Sequence, residues 1–354
     1  MPFAYASSFF AVLVCLLAGS THAASFRPLG DIPGGAFSSD ASDVSNDGQT
    51  YVGSSEGPGG VNLAWVRQRG GPAIEIGTLG AAGSVARAVS ADGTTVVGRS
   101  SGSAFVWNET DGITAIGPGS AVGVSADGSV VAVHDSVGGH YLWYDDGTTV
   151  PVPGLTQVSG LSDDGLWVPG ADIREFPDPG DNEHIAVLYD VLGARIQRLS
   201  GVVYIETEVA TAVSADGSIA VGYENGPSGQ EPLMWGAGVA LPPGLPPSYR
   251  DSRALDISPD GSYVVGGRYD AFIWDVTNGM RAVADLVTAA GIDLTGWSLE
   301  AATAVSADGE TIVGYGTNPA GDPEGWLFSL PEPGTGLLIG VALLASLRPG
   351  RRRS

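Results

Sequence analysis

Seven aspartates recur in one phrase, an apolar residue followed by Ser-x-Asp-Gly: Asp47, Asp92, Asp127, Asp164, Asp216, Asp260 and Asp308, spaced 35 to 52 residues apart. Two chemistries suit carboxylates repeated in this way. One is a calcium-dependent mouth for a sugar or protein ligand, with carboxylate oxygens around the ion. The other is structural: Asp accepts hydrogen bonds from nearby backbone amides, and Gly takes the positive φ that closes a hairpin. Turn chemistry accounts for both the Asp and the Gly. The expected role of all seven is therefore to shape turns, with no cofactor required and calcium as the alternative.

Other chemistry-bearing residues are less ordered. Asp178-Pro179-Gly180-Asp181-Asn182-Glu183 offers calcium oxygens but lacks the alternating Asp order of a dedicated loop, so it reads as a solvated segment. His134, His140 and His184 have neither helical nor zinc-ligand spacing, and His140 falls where other repeats carry packing residues. Gly53-Ser54-Ser55-Glu56-Gly57 and Gly98-Arg99-Ser100-Ser101-Gly102 match the nucleophile-elbow pattern. A nucleophile elbow, however, needs a helix after the turn, and none is expected here. Asn108-Glu109-Thr110 is a sequon by pattern, and its place in a hairpin turn explains it equally well. Glycoside hydrolysis needs two carboxylates at a set separation, and no pair stands out among the acids. The expectation is a protein without a catalytic constellation; the alternative is a polysaccharide lyase or hydrolase using carboxylates on one face.

The elements that position these residues follow from the repeat. In the second copy, Ala86-Arg87-Ala88-Val89 leads into the turn Ser90–Gly93, and Thr94–Gly98 returns as a β-branched strand. Ala104-Phe105-Val106-Trp107 gives a third strand and Ile113–Ile116 a fourth. A Gly stands five residues past the turn Gly in every copy except the third, which has Val133. Small residues before the turn suit a crowded axis, and third-strand aromatics suit packing between neighbouring sheets. Repeats of this length predict an all-β, seven-bladed propeller of four-stranded antiparallel blades. The last copy lacks a fourth strand, so Ser25–Leu29 is expected to complete it and close the ring. Val283, Leu286, Val287 and Ala290 recur at helical spacing and predict one short helix within 281–290.

Both ends of the 354-residue chain read as addresses. Residues 1–23 resemble a signal peptide, with an apolar run from Phe3 to Leu17 and small residues Thr21 and Ala23 before the cut. With Cys15 removed, the body at 24–330 has no cysteine and no disulfide. Glu332, Arg348, Arg351, Arg352 and Arg353 lie in the tail; of 39 acids and 16 bases, the body therefore keeps 38 and 12, a net charge of −26. That charge excludes nucleic acid as a partner and keeps an exported protein soluble. Residues 331–354 carry Pro331-Glu332-Pro333, an apolar stretch from Gly334 to Leu347 and then Arg351-Arg352-Arg353. The apolar stretch predicts a C-terminal hydrophobic helix. The Arg cluster keeps its end cytoplasmic, leaving the acidic body outside. At ~1.5 Å per residue such a stretch covers only about 21 Å of a roughly 30 Å core, which suits a transient anchor in the inner membrane.

Two resemblances rest on these residues. Val89–Gly93, Val96–Gly98 and Ala104–Trp107, with Ile116-Gly117, resemble the repeat units of the extracellular HAF family over residues 28–330. Ser258-Pro259-Asp260-Gly261 is also similar to TolB-type propeller turns. The tail resembles the PEP-CTERM sorting signal, with Pro331, Glu332 and Pro333 as the motif and Arg351, Arg352 and Arg353 as the basic end. These resemblances imply an exported propeller handled by signal peptidase and an exosortase-type sorting enzyme. It would act as a non-catalytic binding or structural module at the cell surface or in the matrix. Exopolysaccharide or envelope proteins are the implied partners.

Overall fold

The second repeat shows how sequence becomes sheet. Ser84–Val89, Val96–Ser100, Ser103–Asn108 and Gly112–Pro118 form four antiparallel strands in order. The β-branched Val96 and Val97 are fully buried on opposite faces. The innermost strand carries a β-bulge between Ala86 and Ala88, which leaves Arg87 without a ladder partner. The innermost strands of five other repeats bulge at the same place. Gly314 shows why the strand glycine recurs. It pairs with Ala302 beside the bulge, and a Cβ there would meet Ala301 O at 2.0 Å and the Trp326 ring at 2.5 Å. The glycine makes room for the third-strand aromatic to fold across the bulge.

The computed structural model describes residues 23–135, 137–174, 183–199, 207–226, 229–236 and 251–330. Its core is divided among the gaps between sheets. Val52, Ala64 and Val66 of the first repeat meet Ala86, Val96 and Phe105 of the second, and Ala88, Val97 and Ala104 meet Ala121, Val131 and Val133.

An all-β propeller is observed, but the expected seven equal four-stranded blades are not. Among the described residues there are four four-stranded sheets, one three-stranded sheet and one eight-stranded sheet. The eight-stranded sheet arises because Gly267, at φ +148°, ends the strand Tyr263–Gly267 and pairs with Ala301 of the strand Ser298–Val305. With no side chain in the way, the two strand sets join. The three-stranded sheet ends at Gly229–Trp235, and residues 237–250 lie outside the described set.

The expected C-terminal hydrophobic helix is likewise not found. The described residues contain a single helix, Val283–Ala289, and none long and apolar enough to cross a membrane. Residues 331–354 lie outside the described set. Val283 and Val287 of the helix are fully buried, as their spacing predicts.

Ser25–Pro28 pairs antiparallel with the last strand, Phe26 opposite Phe328 and Pro28 opposite Trp326. Phe26 meets Trp297 edge-on at 5.3 Å, and Leu29 N–H donates to Gly325 O. The first strand therefore supplies the fourth strand that the last repeat lacks.

Candidate functional site

The Ser-x-Asp-Gly turns have one geometry in all seven copies. The Ser hydroxyl donates to Asp Oδ1 at 2.5–2.9 Å. The same Oδ1 accepts the N–H two residues later at 2.9–3.0 Å. Ser Oγ in turn accepts the N–H five residues on at 2.9–3.1 Å. These bonds hold Asp127 and Asp216 below the usual carboxylate range, led by the hydroxyls of Ser129 and Ser218. Gly93, at φ +73°, has no room for a side chain, since its Cβ would lie 2.2 Å from Thr50 Oγ1 of the preceding repeat.

The variable residue of the phrase has a role invisible from within one repeat. Asn46 N–H donates to Ala91 O, Ala91 to Ala126 O, Ala126 to Asp163 O, Ala215 to Pro259 O, and Ala307 back to Asn46 O. Five of the seven turns are thus tied to the next around the axis. The sixth repeat cannot pass the bond on, because Pro259 has no N–H.

Residues from all seven inner strands and turns line one central cavity of about 210 Å³. Three carboxylates enter it. Asp43 accepts N–H groups from Val44 and, across to the next repeat, from Val89 at 2.8 Å. Asp256 accepts from Val305 of the next repeat at 2.9 Å. Asp163 accepts from Asn46 Nδ2 at 2.7 Å. Burial raises all three; the Asp43 carboxyl is pushed well up, with Asp256 adding to it, and Asp256 reaches about 7. The two bulge-flanking aspartates tie neighbouring inner strands together. Among the described residues no three His, Cys, Asp or Glu groups are placed to hold a metal.

The strand ends opposite the turns are different. Here the residue one past the strand glycine is Ser54, Arg99, Tyr223 or Tyr315, with His134 at the same position in the third repeat. Arg87, from the bulge, lines both the central cavity and a rim cavity of about 410 Å³ that it shares with Arg99. Arg99 and His134 line the next cavity, about 450 Å³, and Asp135 and His140 line a third of about 840 Å³. Across the mouth, burial raises the Asp40 carboxyl, against bonds from Ser54 and the charge of Arg87.

His134 and His140 stack at 4.6 Å between ring centres. His140 Nδ1 accepts the N–H of Asp135 at 3.2 Å, and His134 Nδ1 accepts that of Val158 at 3.3 Å. A ring whose Nδ1 accepts in this way carries its neutral-form proton on Nε2, as a donor with no free lone pair for a base. Burial, then the charges of His140 and Arg87, lower the His134 pKa and keep it neutral.

The remaining sequence candidates do not join this site. His184 lies in another sheet, opposite Ile173. Ser100 donates to Gly83 O and accepts from Leu79 N–H, and Ser55 is buried, so neither elbow pattern exposes a nucleophile. Asn108 caps its own turn by accepting from Thr110 and Asp111 N–H. Residues 178–182, Pro331, Glu332, Pro333, Arg351, Arg352 and Arg353 lie outside the described set.

Sequence reasoning missed Arg87, Arg99, Asp43 and Asp256. Their signal was present: aligning the repeats on the turn places Arg87 in a column of neutral residues, and Asp43 and Asp256 together in a column otherwise of Ala and Gly.

No protein-family model and no curated protein matches this chain. Among solved structures, an oligogalacturonate lyase from Vibrio parahaemolyticus is 11% identical, over 89% of this chain and 99% of the other, with a TM-score of 0.55. The WD40 repeats of RRP9 are 10% identical over 88% and 99%, also at 0.55. Kuenenia stuttgartiensis hydrazine synthase is 16% identical over 80% and 93%, at 0.54. These likenesses concern the fold alone, and with the sheets described above they make the chain an all-β propeller.

Proposed function

We propose that this chain is an exported, non-catalytic binding and structural module, working at the cell surface or in the extracellular matrix. One observation carries the reading. All seven turn aspartates are engaged within their own turns, while cavities of about 410, 450 and 840 Å³ adjoin at the opposite strand ends. Ligand recognition belongs to that second face. The acidic body supports life outside the cell, and the Pro331-Glu332-Pro333 tail supports export followed by exosortase-type processing through a transient inner-membrane anchor. Exopolysaccharide or envelope proteins are the partners this places within reach.

A polysaccharide-acting enzyme is the second reading, favoured by the grouping of His134, Asp135 and Arg99 in one cavity. The Nδ1 bonds of both histidines argue against it, since they remove the lone pair a base needs. Incubating the mature protein with a glycan panel, read for both binding and new chain ends, separates the two. Binding without cleavage supports the module; cleavage overturns it. Mass spectrometry of the mature C-terminus tests sorting, and an intact Arg351–Arg353 end would refute processing.

A further inference from the structure

Arg87 and Arg99 are out of place in a chain with a net charge of −23. Other arginines are engaged, Arg195 with Asp190, Arg268 with Asp251 and Arg281 with Asp275. Arg87 and Arg99 make no hydrogen bond or ion pair among the described residues, although they line one cavity. The bulge position makes the contrast sharper. In two other repeats it holds Thr211 and Thr303, whose hydroxyls donate to Ala254 O and Ala41 O of the following repeat. Arg87 gives up that link and points a charge into the mouth. Arg87 is exposed like Arg99; partial desolvation and the like charge of Arg99 work against its protonation, and Asp40 opposes. Two neighbouring guanidinium groups with no carboxylate bonded to either among the described residues form a site that an anion relieves.

The cavities beyond Arg99 say what else the ligand must be. Arg99 and Gly102 line the first and second, and Pro118, Asp135, Val137 and Gly138 line the second and third. The three adjoin as one groove, each within the ~300–1,000 Å³ of small-molecule sites. Past the arginines the lining turns to His134, His140, Tyr141 and Thr149, with the carboxylate of Asp135 among them. Uncharged donors beside flat rings suit hydroxylated rings, and a small inorganic anion would occupy only the first cavity.

We infer that this groove binds an oligosaccharide bearing carboxylate or sulfate groups, with an anionic group between Arg87 and Arg99 and sugar hydroxyls along His134 and His140. The inference rests on reading this face as the ligand face.

Calorimetric titration of the mature protein tests it with an alginate tetrasaccharide, a sulfated tetrasaccharide, neutral maltotetraose and inorganic sulfate. One or both charged tetrasaccharides should bind at least about tenfold tighter than maltotetraose, and Arg99→Ala and Arg87→Gln should each weaken that binding about tenfold. The carboxylate and sulfate arms tell which group is recognised. Arg99 is exposed, so Arg99→Ala should keep the wild-type melting temperature and report on binding alone. Equal affinity for maltotetraose, an unchanged Arg99→Ala, or no binding of either charged oligosaccharide overturns the inference. So does inorganic sulfate binding as tightly as the oligosaccharides. Neutral glycan binding that ignores both variants would sink the anion site and leave the module intact; cleavage of a bound charged oligosaccharide would sink the module and leave the anion site.

Discussion

Replacing Asp256 by Asn should remove the pH dependence this residue imposes on stability. The half-buried carboxyl lines the central cavity and accepts N–H groups from Val305 and Ile257, and its pKa rises from 3.8 to about 7. The folded protein thus holds this proton more tightly than the unfolded chain. Its stabilisation is complete below about pH 4 and is lost as the pH rises through about 7. At ~1.36 kcal/mol per pH unit the ceiling is about 4 kcal/mol. Channel water touching the side chain makes it a ceiling. Asn carries no charge at any pH but has one acceptor oxygen in place of two, which costs about 1 kcal/mol.

The two proteins should therefore cross. At pH 4 Asp256→Asn melts slightly below wild type, and at pH 8.5 it melts above it by up to about 3 kcal/mol. For a body of about 300 residues, at ~2.1 cal/mol/K per residue, that is roughly 5 °C. Relief of Asp43, whose pKa Asp256 helps to raise, acts in the same direction. His134, with its lowered pKa, acts oppositely in both proteins and cancels in the difference. Differential scanning calorimetry at fixed ionic strength and pH 4, 5.5 and 8.5 reads the crossing. Parallel curves, or a variant less stable than wild type at pH 8.5, would refute the argument.

The other predictions concern the scaffold. Ser90→Ala removes a buried hydroxyl that joins Asp92 to Thr95 N–H. It should lower stability by about 1–3 kcal/mol in chemical denaturation, and an unchanged midpoint would show the turn bonds to be dispensable. Gly314→Ala forces a Cβ against Ala301 O and the Trp326 ring, with an expected loss of at least about 2 kcal/mol; Gly59→Ala, with nothing within 4 Å but a φ of +81°, should cost only about 1 kcal/mol. Deleting Ser25–Pro28 strips the partner of the last strand and uncovers Trp326 and Phe328. The melting temperature of the whole body should fall sharply, and an unaltered melt would mean that this strand does not close the structure. Acidification below about pH 4 should destabilise the protein as Asp127 and Asp216 protonate, since their carboxylates sit below the usual range; stability that keeps rising down to pH 2.5 would contradict their part in the turns.

What could be read from the chain alone was local. The bonds of Ser90, Asp92, Thr94 and Thr95 all close within six residues, so the turn announces itself in any copy. The third-strand aromatic and the strand glycine are legible for a similar reason, as is the helix Val283–Ala289 with its buried Val283 and Val287. The N-terminal strand could be assigned because the last repeat lacked a fourth one. Expecting every sheet to be separate and four-stranded failed at Gly267, where a missing side chain lets two strand sets join.

Function lay on the other side of that divide. The Ser-x-Asp-Gly phrase by itself determined a repeat, its turn and the propeller architecture, because each of those depends on bonds between near neighbours in sequence. Only the tertiary structure decided that the variable residue carries the turn-to-turn bonds around the axis, that Asp43 and Asp256 bridge adjacent repeats, and that Arg87, Arg99 and His134 share one mouth. Those relations link residues on different repeats or sit on a bulge that shifts which way a side chain faces. No local pattern encodes them, since they exist only once neighbouring repeats have closed on one another.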